Sequence, residues 1–307
     1  LTSSLYRMSR VTVPMIGFIS GATRERTGLF SQVLSKQFSV VDVNTTTVKS
    51  YVLDGLIYKD DRKTELTSDD ITTLDTFVKN GKTLLVLADG VWVDDSLAVT
   101  ASKSNINALL KKYTIELNKD LVVSNNSETA SFRSGFMNYV VKYPYWIKAA
   151  VKDMPLIMPW SSSIKQNNTK DTSVLMSAPQ GSGFVSGVQN VLPTNNVQLP
   201  RDQFTSPVLA VESTGNAGKL VVIGNSRLIE DDFNSRSISN IDFISKLMDG
   251  YLSKGILSNI KYRDTGFIQL PETTDSVKQT VRYVNIIAPG LLFALFGFYL
   301  STQRKKV

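Results

Sequence analysis

The side chains able to do chemistry here are carboxylates, amides, hydroxyls, lysines and arginines, because the 307 residues include neither histidine nor cysteine. That excludes thiol nucleophiles, thiolate metal sites, disulfides and every Ser-His or Cys-His dyad. Three charged groups stand just after apolar runs: Arg24 and Glu25; Asp89, Asp94 and Asp95; and Asn225 and Arg227, which lead into Glu230, Asp231 and Asp232. Groups at the carboxyl ends of strands lie where open α/β sheets bind ligands. Paired acids there suit glycoside hydrolysis or a divalent cation. Asp-Gly turns and helix caps use the same residues without any chemistry. The sequence thus nominates a ligand crevice of Arg24, Glu25, Asp89, Asp94, Asp95, Asn225 and Arg227, with no catalytic set, no metal site and no cofactor.

Two apparent phosphate motifs fail. Gly81-Lys82-Thr83 resembles the end of a phosphate-binding loop, but the required earlier glycine falls at Thr76, and Gly81 precedes a strand instead of opening a helix. Gly181 and Gly183 lack the third glycine of a dinucleotide fingerprint, since position 186 is Ser186. Trp92, Trp146 and Trp160 suit either sugar or partner binding or the packing of a domain edge.

The elements that position these groups alternate. Pro14 to Ser20, Phe38 to Val43, Val52 to Tyr58 and Lys82 to Ala88 read as strands. Residues 28–37 and 67–80 read as helices, the second with an N-cap at Thr67 and a stop at Asn80-Gly81. Lys59 to Glu65 reads as a charged loop. Strands apolar on both faces, alternating with helices, predict an open parallel sheet in an α/β fold, and a flavodoxin-like order would bring the nominated groups to one crevice. Ser104 to Tyr113 continues as a helix. The segment 125–205 reads largely as long loops, from its Ser, Asn, Gln, Gly and Pro content. Pro207–Glu212 and Lys219–Gly224 read as a hairpin or two edge strands, Asn240–Leu252 as a helix, and residues 256–269 as a further strand.

The tail is different. Residues 283–301 carry no charge and at the helical rise extend roughly 28 Å, about one bilayer core. Tyr283 and Tyr299 sit near its ends, and Arg304, Lys305 and Lys306 follow, a pattern that keeps the terminus in the cytoplasm. Of the formal charge of +7, the four cations flanking this stretch account for more than half, so the body carries no nucleic-acid footprint. Domain organisation is expected to be an extracytoplasmic domain over 1–265, a tether over 266–282, a transmembrane helix over 283–301 and a basic cytoplasmic tail over 302–307. An export signal or anchor is expected upstream of Leu1.

Several stretches, in order, resemble the GldG-like auxiliary subunits of ABC transport systems, the gliding-motility-associated family. They are Leu1 to Leu5 with Pro14 to Gly21; Leu66 to Asp89; Tyr143-Pro-Tyr-Trp146 with Pro159; Gly218 to Ser226 with Asn240 to Phe243; and Arg263 to Gly266 leading into Asn285 to Gly290. The family's usual Gly-His-Gly-Glu after the first strand is replaced by Gly21-Ala-Thr-Arg-Glu25. The resemblance implies a class I glutamine amidotransferase-like fold without amidotransferase chemistry. It also implies an ABC permease and a cytoplasmic ATPase as partners, beside membrane lipid and cell-wall or other extracytoplasmic protein. Pro289, Gly290 and Gly297 are the expected helix-packing positions in the membrane. The chain then reads as a non-catalytic, inner-membrane auxiliary subunit. The alternative is a carboxylate-based hydrolase or a glycan-binding module.

Overall fold

The computed structural model describes residues 13–21, 26–134, 137–151, 154–193, 203–213, 217–234, 238–253 and 275–304. The chain divides into two compact units, Leu1–Thr265 and Gly266–Val307. In chain order the first contains β1 (Met15–Ile19), α1 (Gly28–Leu34), β2 (Ser39–Asp42), β3 (Gly55–Lys59), α2 (Ser68–Lys79) and β4 (Thr83–Leu87). Next come β5 (Val91–Val93), β6 (Val99–Ala101), α3 (Asn107–Leu110), β7 (Ile115–Leu117), β8 (Leu121–Ser124), β9 (Ser127–Ser134) and β10 (Met137–Val151). It closes with β11 (Met154–Pro159), β12 (Ile164–Gln166), β13 (Thr172–Ser177), β14 (Ser182–Val185), β15 (Val208–Ser213), β16 (Lys219–Ile223), α4 (Asp231–Asn234) and α5 (Ser239–Leu252).

The fold is mixed α/β around a seven-stranded sheet of order β13-β15-β16-β4-β3-β1-β2. From β16 to β2 the pairing is parallel; β15 and β13 add antiparallel strands at one side. β3 and β4 are buried at every position, as strands covered on both faces require. One apolar layer, including Phe18, Phe30, Leu34 and Ile244, packs α1 and α5 on one face. The other, including Leu56, Leu74, Val86 and Leu110, packs α2 and α3 on the opposite face. The sheet order reverses between β1 and β3: β1 steps out to β2, and the chain returns to add β3 and β4 on the other side. Such a reversal opens a crevice at the carboxyl ends of the strands.

Local chemistry sets the boundaries where the sequence predicted them. Thr67 Oγ1 accepts from the Asp70 N–H at 3.2 Å and Asp70 Oδ2 from the Thr67 N–H at 2.8 Å, a reciprocal capping box. Gly81, at φ 81°, ends α2 in the left-handed region. The predicted helix over Ser104 to Tyr113 shortens to α3 and a 3-10 turn over Lys111–Tyr113.

Two expectations change. Among the described residues of 125–205, strands β9 to β14 occupy most of 127–185, where long loops are expected, whereas 186–193 holds no named strand. These strands are short or interrupted and mostly half-buried, so their polar outward residues imitate loop composition. β10 carries Pro144 within a register shift between Lys142 and Ile147. β15 and β16 pair antiparallel, as the expected hairpin requires, and β4 pairs on the far side of β16, making it an interior strand. The predicted tether is helical from Asp275, continuous with α6 (Asp275–Arg304) in the second unit. Among the described residues no helix is long and apolar enough to cross a membrane. Residues 291–292 and 294–301 of the expected span have side chains outside the described residues. So do the expected helix over 1–10, the strand over 256–269, and both Arg24 and Glu25.

Candidate functional site

Among the described residues, the ends of β3, β4 and β16 carry a buried charged cluster. Lys59 is the last residue of β3, and Asp60, Asp61 and Arg62 turn away from it. Asp89 follows β4; Asn225, Ser226, Arg227 and Glu230 follow β16. All are at most 8% exposed, although Lys59 to Glu65 reads as a solvated loop. Burial of this kind demands pairing, and pairing is found. Glu230 Oε1 lies 2.9 Å from Lys59 Nζ and 3.2 Å from an Arg62 guanidinium nitrogen. The same guanidinium reaches Asp89 Oδ2 at 3.4 Å. Asp89 also accepts from the Ser226 N–H at 2.8 Å and from the Ser226 hydroxyl. Arg62 thus ties the end of β4 to the segment after β16, and Lys59 ties in β3.

Aromatic rings complete the closure. Arg62 stacks 4.1 Å from the Trp92 centroid, and Arg227 lies over Trp160 at 4.6 Å and Trp92 at 5.4 Å. Arg227 donates to the Val93 carbonyl. Trp160 and Trp146 meet edge to face at 5.6 Å, and both pack on Phe233. The three tryptophans are therefore packing residues around the cluster. Arg62 and Trp160 hold φ of 63° and 51°, a left-handed geometry costing a non-glycine residue about 1 kcal/mol or more. The ion pairs and ring contacts hold both in place.

Burial pushes the Glu230 carboxyl up, but Lys59, Arg62 and Arg227 together pull it below its ordinary value. Burial drives the Lys59 ammonium down, against the pull of Glu230. Asp60 is pushed up to about 6 by burial, with the Asp89 charge adding and the Arg62 N–H opposing. That N–H donates to Asp60 Oδ1 at 2.9 Å, whereas Asp60 Oδ2 is buried and has no hydrogen-bond partner among the described residues.

The nominated residues fall apart into different roles. Asp89 and Arg227 join the cluster. Asn225 sits beside it, donating from Nδ2 to the Pro159 carbonyl and Ser161 Oγ, both at 2.8 Å. Asp94 closes the β5–β6 turn, accepting from the Ser96 and Ala98 N–H groups, and those bonds with Ser96 draw its carboxyl below the usual range. Asp95 is exposed beside it. Asp231 accepts from the Gly28 and Leu29 N–H groups at 3.1 Å, supplying the cap that α1 lacks locally. Among the described residues no group of acids is arranged to hold a metal ion.

Sequence reasoning missed Lys59, Arg62 and the buried Ser161–Ser163 segment. Those serines cross the strand ends, at most 3% exposed. Ser162 donates from N–H to the Gly224 carbonyl and from Oγ to the Asp120 carbonyl, and accepts from the Gly90 N–H. The crossing needs two glycines: a Cβ on Gly90 would lie 1.8 Å from the Asn118 carbonyl oxygen, and one on Gly224 2.1 Å from that of Ser162. The available signal was Asp-Gly and Gly-Asn directly after two apolar strands.

Fold and site together define an α/β domain whose strand ends are closed by internal ion pairs. The chain belongs to the family described as ABC-type uncharacterized transport system, whose family model matches residues 14–247, and is an auxiliary component of such a system. A protein of Borreliella burgdorferi, described as an uncharacterized protein, is 22% identical over 351 residues, covering 100% of this chain and 68% of that one. Among solved structures, the mmIFT52 N-terminal domain superposes with a TM-score of 0.52 at 15% identity, over 78% of this chain and 97% of that one. This likeness shows the fold alone. A beta-galactosidase from Halorubrum lacusprofundi reaches a TM-score of 0.38 at 12% identity, over 80% of this chain and 31% of that one. That value carries no argument about activity.

Proposed function

We propose that the chain is a non-catalytic, membrane-anchored subunit of GldG-like type in an ABC transport complex. In this reading residues 283–301 span the inner membrane, the α/β domain lies outside and presents a surface to substrate or partner, and the basic terminus lies in the cytoplasm. ATP hydrolysis belongs to a separate cytoplasmic subunit, and a permease is the membrane partner. The observation that carries the non-catalytic reading is the pairing of Asp89 and Glu230 with Arg62 and Lys59 inside the protein. Carboxylates so engaged hold the domain together. The parallel strand order supports the flavodoxin-like, amidotransferase-like assignment, and the uncharged run in α6 supports the anchor.

Along α6, Val281, Tyr283, Ile286, Ile287 and Phe293 are exposed, and a Cβ at Gly290 would meet nothing within 4 Å. Small residues let helices approach closely in a bilayer, and a neighbour can satisfy the backbone that Pro289 frees. Replacing Gly290 and Gly297 together by Leu is expected to reduce recovery of the permease with the chain several-fold in detergent pull-downs. Undiminished recovery would remove α6 as the packing element.

A second reading, a carboxylate hydrolase or glycan-binding module, draws on Asp60, whose carboxyl at about 6 lies in the range of a general acid. Its complete burial and the pairing of its neighbours weigh against that reading.

A further inference from the structure

Away from the charged cluster, a half-open cavity of about 200 Å³ lies between the β5–β6 hairpin and the β8–β14 pair. Val91, Val99, Leu121, Val185 and Val188 give it an aliphatic wall. The wall is fixed before any ligand arrives. Val185 pairs with Leu121 across the β8–β14 ladder. The Val99 N–H donates to the Gln189 carbonyl at 2.8 Å, and the Val191 N–H to the Leu97 carbonyl at 2.9 Å, stitching the loop that carries Val188 onto the hairpin.

Three polar residues also line it: Thr100, Lys119 and Asp120. Asp120 is already engaged, accepting from the Ser163 N–H at one oxygen and from the Ser163 hydroxyl at the other. Lys119 is exposed and makes no ion pair among the described residues. Of the charged lining groups, the ammonium is therefore the one left to meet a ligand. Small-molecule sites combine apolar walls with a few placed polar groups, and this volume is below the drug-sized range. It suits one short branched chain.

We propose that this cavity binds a branched aliphatic group bearing a carboxylate, the aliphatic part against the valines and the carboxylate on Lys119. The same chemistry is offered by a free branched-chain acid and by the C-terminal residue of an apolar peptide. The site goes beyond the subunit role proposed above and stands or falls independently of it.

The test is calorimetric titration of the full chain in detergent at neutral pH. The probes are 4-methylpentanoate, its amide, and the tripeptide Gly-Gly-Leu with a free or an amidated terminus. Saturable binding of an acid is expected, with the matching amide about two- to fivefold weaker, as loss of an ion pair to an exposed ammonium implies. Lys119→Gln should weaken the acid by a similar factor. Val188→Phe should fill the cavity and abolish binding, with an unchanged melting temperature showing that the fold is kept. Tighter binding of the peptide than of the free acid assigns the site to a chain terminus; the reverse order assigns it to a small acid. Absence of saturable binding by both acids at millimolar concentration overturns the proposal. Equal affinity for acid and amide, or an undiminished affinity in the exposed-site variant Lys119→Gln, also overturns it.

Discussion

Replacing Glu230 by Ala is expected to lower the unfolding free energy by about 3–5 kcal/mol, the usual cost of stranding a buried charge. Two buried cations lose this carboxylate at once, since one Glu230 oxygen serves both Lys59 at 2.9 Å and Arg62 at 3.2 Å. Lys59 is the more exposed to this loss, because burial already drives its ammonium down, while Arg62 keeps Asp89. The loss is a burial effect, so it should persist in high salt, where a surface pair would be screened. The sign with pH follows from the depressed Glu230 value. Its stabilisation is present above the unfolded carboxyl value, about 4.3, and is lost as pH falls through the lower folded value. Denaturant unfolding of the wild type, Glu230→Ala and the double variant Lys59→Met/Glu230→Met measures the effect. The double variant should recover part of the loss, because it removes the buried ammonium together with the carboxylate. A loss under about 1 kcal/mol in Glu230→Ala would show the pair to be dispensable.

Asp60→Asn should act in the opposite direction. The folded carboxyl is held at about 6 against an ordinary 3.8. A raised value means that the folded state prefers the proton. Stability from this group is full below the unfolded value and is lost as pH rises through about 6. At neutral pH the wild type therefore carries a penalty of about 3 kcal/mol, by the linkage of proton binding to folding. Asparagine removes the charge and retains an oxygen for the Arg62 N–H, while its amide must replace the second carboxyl oxygen in a buried position. The expected net gain at pH 7.5 is about 2 kcal/mol, shrinking to nothing or reversing near pH 4. Urea unfolding at the two pH values reads this directly. Parallel pH profiles for wild type and variant would place the proton elsewhere.

How much of this was legible follows from where the residues sit. β1, β3 and β4 announce themselves as apolar runs, because strands buried on both faces have no reason to alternate. α2 is legible down to its capping box, since Thr67 and Asp70 act on each other within one turn. Asp89 was correctly placed at a strand end. What the sequence hides is pairing between distant residues. Lys59 and Glu230 are 171 positions apart, and nothing near either shows that it is buried. A run such as Lys-Asp-Asp-Arg has the composition of a solvated turn. Only the topology, which brings the ends of β3, β4 and β16 together, turns it into an interior network. The same limit applies to Ser161–Ser163, polar by type and buried by position, and to the strands between 125 and 205. Apart from β13, which joins the main sheet, they pair on several small ladders.

The chain is an auxiliary component of an ABC-type transport system, and the central proposal is that it supports such a complex without catalysis of its own. The most direct measurement is gentle detergent extraction of the native complex followed by mass-spectrometric identification of the co-purified chains. The account predicts a permease and an ATPase in fixed ratio to this chain, with ATP hydrolysis absent from the isolated chain. Recovery of the chain alone under conditions that keep other transport complexes intact would contradict it.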